Sequence, residues 1–366
     1  MSNFTDIEED IYTDEYHFEH SISKVSLFLS VSGLLINTFH FYVLTRKELR
    51  ILSVFILMTT ICSLDITYLI DKVLRSANTL RIYKRTDYCY LYDSLTVTWL
   101  FRITGSTGYG SEFSSVWLVV LMAFYRSLSI TFPLNQRIKQ ITTPKNTVFA
   151  ILGLLSLTVS WALWPYFTVY IIFKRLDRHP CAFIKDINAT ESDQYSLMYL
   201  KASIPIVNLI SEIEFGFMIV QLVLYSCFAL LLFISLKKNQ EKRQQSSSTN
   251  QKKKDNTTKL VLAMTMVFFF TQLFHPIYNV LLLTVVSEEN VSQSLTNILI
   301  VVKANLQIVH SSSHCFISFF MSTQYRDTVK RVLGVGKKRV KVSCECNRKF
   351  DHYEVFDYYK LKVSVS

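Results

Sequence analysis

The chain has 366 residues, half of them apolar, with 27 Phe, 20 Tyr and a positive mean hydropathy of +0.26. Only 18% of positions are charged, well below the roughly one-quarter of ordinary soluble domains, which excludes a single water-soluble globule built around one core. The net charge of +11 comes in runs beside apolar segments, where membrane topology and anionic lipid explain it better than a nucleic-acid surface does.

Residues 1–20 carry seven acidic groups, no Lys or Arg and no apolar centre. They are not expected to form a cleavable signal, and the first apolar segment is expected to act as its own insertion signal. Crossing a bilayer core of about 30 Å takes roughly 20 helical residues. Seven segments have that length with few charges: 22–44, 51–74, 99–125, 147–173, 213–236, 259–286 and 296–320. The third opens with the polar, glycine-bearing stretch RITGSTGYGSE, and the seventh carries Lys303, Asn305, Gln307, His310 and His314. Such side chains are expected to face other helices and not lipid. Between the fifth and sixth segments the run KKNQEKRQQSSSTNQKKKDNTTK reads as a mobile polar loop, and the chain beyond Gly334 turns polar again.

Of the 39 Lys and Arg, 26 fall in TRKELR, in 126–145, in 237–259 and after Met321. This excess predicts a cytoplasmic tail (321–366) and an extracellular start (1–21), with an odd number of spans between them. Seven cysteines divide on the same map. Cys62, Cys227 and Cys315 lie within spans, while Cys344 and Cys346 in the tail are candidates for palmitoylation. Cys89 and Cys181 fall in outer loops, where an oxidising compartment favours a disulfide between them. Glycosylation acceptors at Asn3, Asn188 and Asn290 lie on the same outer side.

Further residues appear in a fixed order along the chain: Gly33 and Asn37 in SGLLIN, Asp65 in SLDI, Arg126 in FYRSLSITFPL with Pro133 and Leu134, then Trp161 and Pro165. Tyr225, the group Phe270, Phe274 and Pro276 in FFFTQLFHP, and MSTQYRDTVK with Tyr325 and Arg326 complete the series. From about Ser32 to Arg331 the chain resembles the rhodopsin-like class of G protein-coupled receptors. More closely it resembles the nematode serpentine receptor class w group, which is similar to receptors for FMRFamide-type neuropeptides.

The resemblance implies an all-α membrane protein, a seven-transmembrane helix bundle over 22–320 with a short amphipathic eighth helix. It implies coupling and activation roles for Arg126, Tyr125, Pro133, Leu134, Tyr225, Phe270, Phe274, Pro276, Tyr325 and Arg326. It also implies a polar core of Asn37, Asp65, His310 and His314. No cofactor is expected, apart from a sodium ion that Asp65 could meet. The expected pocket is lined by Tyr109, Glu112, Glu214, Phe274, Ile277, Tyr278 and Lys303. The implied partners are a heterotrimeric G protein, membrane lipid and an extracellular ligand, a neuropeptide first and a small environmental molecule as the alternative, with no nucleic acid.

The pattern also departs from the family. Tyr125 stands where an acidic partner for the arginine is usual, Phe274 where tryptophan is usual, and Phe217 near the usual proline of the fifth helix. The NPxxY motif of the seventh helix is absent.

Two other classes compete. His310 and His314, four residues apart, could hold a metal on one helical face, but an oxygenase of that kind needs several histidine clusters and the other six histidines are scattered. No enzyme is expected. A transporter could use Glu112, Glu212, Glu214 and Lys303 as a pathway, but inverted repeats and paired broken helices are not visible.

Overall fold

The computed structural model describes residues 3–84, 95–132, 134–168, 170–174, 195–199, 204–244, 269–271, 273–274, 277 and 293–335. In chain order, α1 is Asn3–Leu44, α2 Ser53–Lys84, α3 Leu95–Thr131, α4 Gln136–Ile141 and α5 Pro144–Thr168. A hairpin of β1 Tyr170–Lys174 and β2 Tyr195–Tyr199 precedes α6 Ile204–Gln244, α7 Gln293–Met321 and α8 Thr323–Val332.

Among the described residues, five helices contain segments long and apolar enough to cross a membrane: Ser21–Leu44, Ser53–Leu80, Leu95–Thr131, Pro144–Trp164 and Leu209–Ser235. At 29 residues, α7 reaches about 43 Å and has the length, with a row of polar groups turned mostly inward. Of the apolar segment 259–286, only six positions fall within the described residues.

Two helices run further than hydropathy alone indicates. The acidic start continues α1 back to Asn3, and α6 carries on through the first eight residues of the polar run 237–259, which was expected to be a loop. Neither stretch contains Gly or Pro, and Glu, Lys, Gln and Arg are good helix formers once a helix has been started for them.

The burial pattern is inverted relative to a water-soluble domain. Phe28 is 70% exposed, Leu157 74% and Leu230 61%, while Asn37, Asp65, Ser114, Ser115, Gln307, His310 and His314 are buried. In lipid this is the favourable arrangement, because apolar faces meet acyl chains and polar groups find partners inside.

The middle helix explains the stretch RITGSTGYGSE. α3 packs against α2, α5 and α6, and its buried face there is made of Gly105, Ser106, Gly108, Gly110 and Ser111. A Cβ at Gly108 would stand 2.7 Å from the Asp71 Cβ, and one at Gly110 3.4 Å from that of Ala162, so small residues let α2 and α5 close on α3. One turn further, the hydroxyls of Ser114 and Thr158 meet at 2.7 Å and tie α3 to α5.

Both ends of the bundle are finished by short elements. The turn between α1 and α2 is held by Leu49, fully buried with Val43, Leu44, Phe55, Tyr325 and Val329, so α8 docks on the same cluster. Ser322 caps α8 by accepting from the Tyr325 amide at 3.1 Å. At the opposite end β1 and β2 pair antiparallel, Tyr170 opposite Tyr199 and Lys174 opposite Tyr195. This hairpin is an addition to the helical architecture that hydropathy did not indicate.

Candidate functional site

Polar side chains gather at three levels of the bundle. At the hairpin end, α2, α3, α6 and α7 bring charged groups together. The Tyr109 hydroxyl is directed at the Glu214 carboxylate, and Lys303 lies within electrostatic reach of Glu112, Glu214 and Lys72. Asp71 is buried against Gly108 and receives Arg75 Nε at 2.8 and 3.0 Å, with Lys72 Nζ at 3.8 Å. Lys72 also lies over the Tyr68 ring, 4.9 Å from its centroid. Tyr109, Glu112, Glu214 and Lys303, all expected pocket residues, therefore lie in one region, within electrostatic reach. Phe274 is half-buried and Ile277 exposed, while Tyr278 lies outside the described residues.

The polar group around Asp71 was not anticipated. The spacing of Asp71 and Arg75, one helical turn apart, is the signal that points to it.

At the middle level, Asp65 is buried and accepts from the Ser115 hydroxyl at 2.9 Å through Oδ1. Its Oδ2 has no hydrogen-bond partner among the described residues, and neither has His314 Nε2, which stands 3.8 Å from it. Ser311 is buried near the same carboxylate, its hydroxyl without a hydrogen-bond partner among the described residues. His310 and His314 stack edge to face with centroids 4.9 Å apart, and His310 Nδ1 lies 3.3 Å from the Thr271 hydroxyl in the sixth segment. Asn37 turns elsewhere, donating to the Gly33 carbonyl at 3.0 Å, with the Cys62 thiol donating to the Asn37 carbonyl at 3.2 Å. Oxygen donors suited to a sodium ion are present in Asp65 Oδ2, Ser115 and Ser311, with an imidazole beside them. Among the described residues, no group of three or more His, Cys, Asp and Glu is arranged to hold a metal.

At the α8 end a cavity of about 480 Å³ opens between α1, α2, α3, α6, α7 and α8. His40, Met58, Met122, Arg126, Ile130, Leu232, His314, Ser318 and Gln324 are among its lining residues. No carboxylate is among the described residues that line it. Arg126 has the Tyr225 phenol within electrostatic reach. Tyr125, on the adjacent position, turns away into the core with Ile151, Tyr225 and Ala229. The tyrosine at the usual acid position is thus a packing residue between α3, α5 and α6.

Tyr325 is fully buried, its hydroxyl 2.7 Å from His40 Nδ1 and 3.8 Å from the Cys315 sulfur. Burial pushes its phenol well above the ordinary tyrosine range. Arg326 Nη1 donates to the Phe320 carbonyl at 3.1 Å. Leu134 and Phe270 are exposed. Pro133, Pro276, Cys89, Cys181, Asn188 and Asn290 lie outside the described residues, and Asn3 opens α1.

Residues 24–336 match the sequence model of the family described as serpentine type 7TM GPCR chemoreceptor Srw. No curated protein matches the chain.

Proposed function

The chain belongs to the serpentine receptor family Srw, with its seven-transmembrane, G protein-coupled design, and from that premise we propose that it works at the plasma membrane. It takes a ligand from outside the cell and promotes nucleotide exchange on a heterotrimeric G protein inside. In this reading the hairpin end, with Tyr109, Glu112, Glu214 and Lys303, faces out, and the α8 end faces the cytoplasm.

The observation that carries the reading is the course of α3. One helix bears Glu112 in the outer charged cluster, Ser115 on Asp65 in the middle and Arg126 in the inner cavity. A ligand that changes how α6 and α7 sit around Glu112 biases one arrangement of the bundle over another, and the inner cavity reports the change. Arg126→Ala is expected to abolish nucleotide exchange in membranes while cell-surface expression remains near the parent's; unchanged exchange would overturn the role.

The family's description as chemoreceptors favours a small environmental molecule as ligand. The second reading, a neuropeptide, is supported by the likeness of the helix motifs to receptors for FMRFamide-type peptides and by the cationic outer residues Arg81, Lys84, Arg85, Lys174, Arg175 and Arg178. Screening cells that express the chain with both a peptide library and an odorant panel, read through a second messenger, separates the two.

Sodium at Asp65 would be held by Oδ2 with the Ser115 and Ser311 hydroxyls and would favour the closed arrangement. Added sodium chloride should then raise the melting temperature of the purified receptor relative to choline chloride, and Asp65→Asn should remove the difference. No such difference in the parent would exclude the ion. On the outer side, a Cys89–Cys181 disulfide and glycans on Asn3, Asn188 and Asn290 belong to the same proposal.

A further inference from the structure

We propose that the inner cavity is also a binding site for a single-chain amphiphile with an anionic head, drawn from the inner leaflet, whose presence opposes G protein engagement. This deepens the receptor reading, which supplies the inward orientation of the cavity and its role in coupling.

Three features of the lining carry it. The volume, about 480 Å³, lies in the range that encloses one small organic molecule. The walls supplied by Met58, Met122, Ile130 and Leu232 are apolar, and methionines adapt to a flexible hydrocarbon chain. The polar groups favour an anion: Arg126 brings a guanidinium to the lining, together with Ser318, Ser322 and Thr323.

His40 adds a donor. The Cys315 thiol can donate to the Tyr325 oxygen, and the phenol in turn to His40 Nδ1. That chain leaves the imidazole proton on Nε2, which is buried and has no hydrogen-bond partner among the described residues. A head group seated beside Arg126 gives Nε2–H an acceptor once the His40 ring turns towards it, since Nε2 is covered in this structure. Gln324, in the first turn of α8, brings the positive end of that helix to the same space. An occupant there fills the volume that a G protein segment would enter.

The test uses the full-length receptor in phosphatidylcholine nanodiscs, titrated with radiolabelled oleate. Oleyl alcohol supplies the tail without the charge, and inorganic phosphate a charge without the tail. Oleate should bind saturably, oleyl alcohol should bind roughly tenfold or more weakly as a lost charge-assisted bond implies, and phosphate should not displace oleate. Arg126→Gln should weaken oleate by a similar factor. Ile130→Trp, which fills the cavity and leaves its charges alone, should abolish binding.

Equal binding by both variants would identify oleate as annular lipid and overturn the site. Equal binding of oleyl alcohol, or displacement by phosphate, would overturn the chemistry assigned to the ligand. Saturating oleate should also slow nucleotide exchange, and unchanged exchange would overturn the opposition to coupling. The binding measurement needs no G protein. Oleate binding without any exchange activity would therefore fail the receptor reading and leave the site standing, whereas exchange without oleate binding would do the reverse.

Discussion

Tyr325 and His40 are 285 positions apart in the chain and 2.7 Å apart in the fold. Removing the phenol oxygen strands a buried imidazole nitrogen, which costs about 1 to 3 kcal/mol, so Tyr325→Phe should lower the melting temperature of the purified receptor. The same bond gives a pH signature. Because burial raises the folded-state pKa of Tyr325, its contribution is complete below the unfolded tyrosine value of about 10 and is lost as pH rises towards the folded value. Melting curves across neutral to strongly alkaline pH should show a decline in the parent that is shallower in Tyr325→Phe; identical slopes would remove Tyr325 as the source. Asp65 and Arg126 were legible in the sequence because a charge in an oily segment is a local anomaly. The Tyr325–His40 and Ser115–Asp65 bonds were not, since each joins residues from different helices, and Tyr325, His40 and Ser115 are ordinary in their own segments.

At the scale of elements, α8 tests which contacts hold a surface helix to the bundle. Its one ion pair to the rest of the protein among the described residues, Arg331 Nη1 to Glu48 Oε1 at 3.0 Å, joins side chains that are 58% and 53% exposed, and such pairs contribute about 0 to 1 kcal/mol. Val329 and Tyr325, by contrast, are buried with Leu49 and Phe55, and burying a valine side chain contributes about 1.5 to 3 kcal/mol. A cysteine introduced at Thr328, buried at 2% exposure, reports undocking through its labelling rate. Arg331→Ala should leave that rate nearly unchanged and Val329→Asp should raise it severalfold; the opposite order would make the ion pair the anchor.

Element placement was legible where hydropathy is strong, as in α2, α3 and α5, and less so where helix continues past the lipid. The polar ends of α1 and α6 have no apolar signal but remain helical because their neighbours have already nucleated them. The hairpin escaped notice because two five-residue strands separated by 20 residues of polar chain leave little local signature.

For the whole molecule the question is which way the bundle is threaded, since every role proposed for its two ends depends on it. The inverted burial pattern says that lipid surrounds the helices and is silent on their direction, because a bundle turned over presents the same flanks. Direction is argued from charge: 26 of 39 basic residues fall in stretches expected to share a side with α8, and residues 1–20 carry seven acids and no Lys or Arg. Translocating positive loops is disfavoured, and both ends of the chain argue for the same solution. An epitope placed before Asn3 should be reached by antibody on intact cells, and one placed after Ser366 only once the membrane is permeabilised. Two epitopes reached from the same face would require an even number of crossings, putting either the outer charged cluster or the Arg126 cavity in the wrong compartment for its proposed partner.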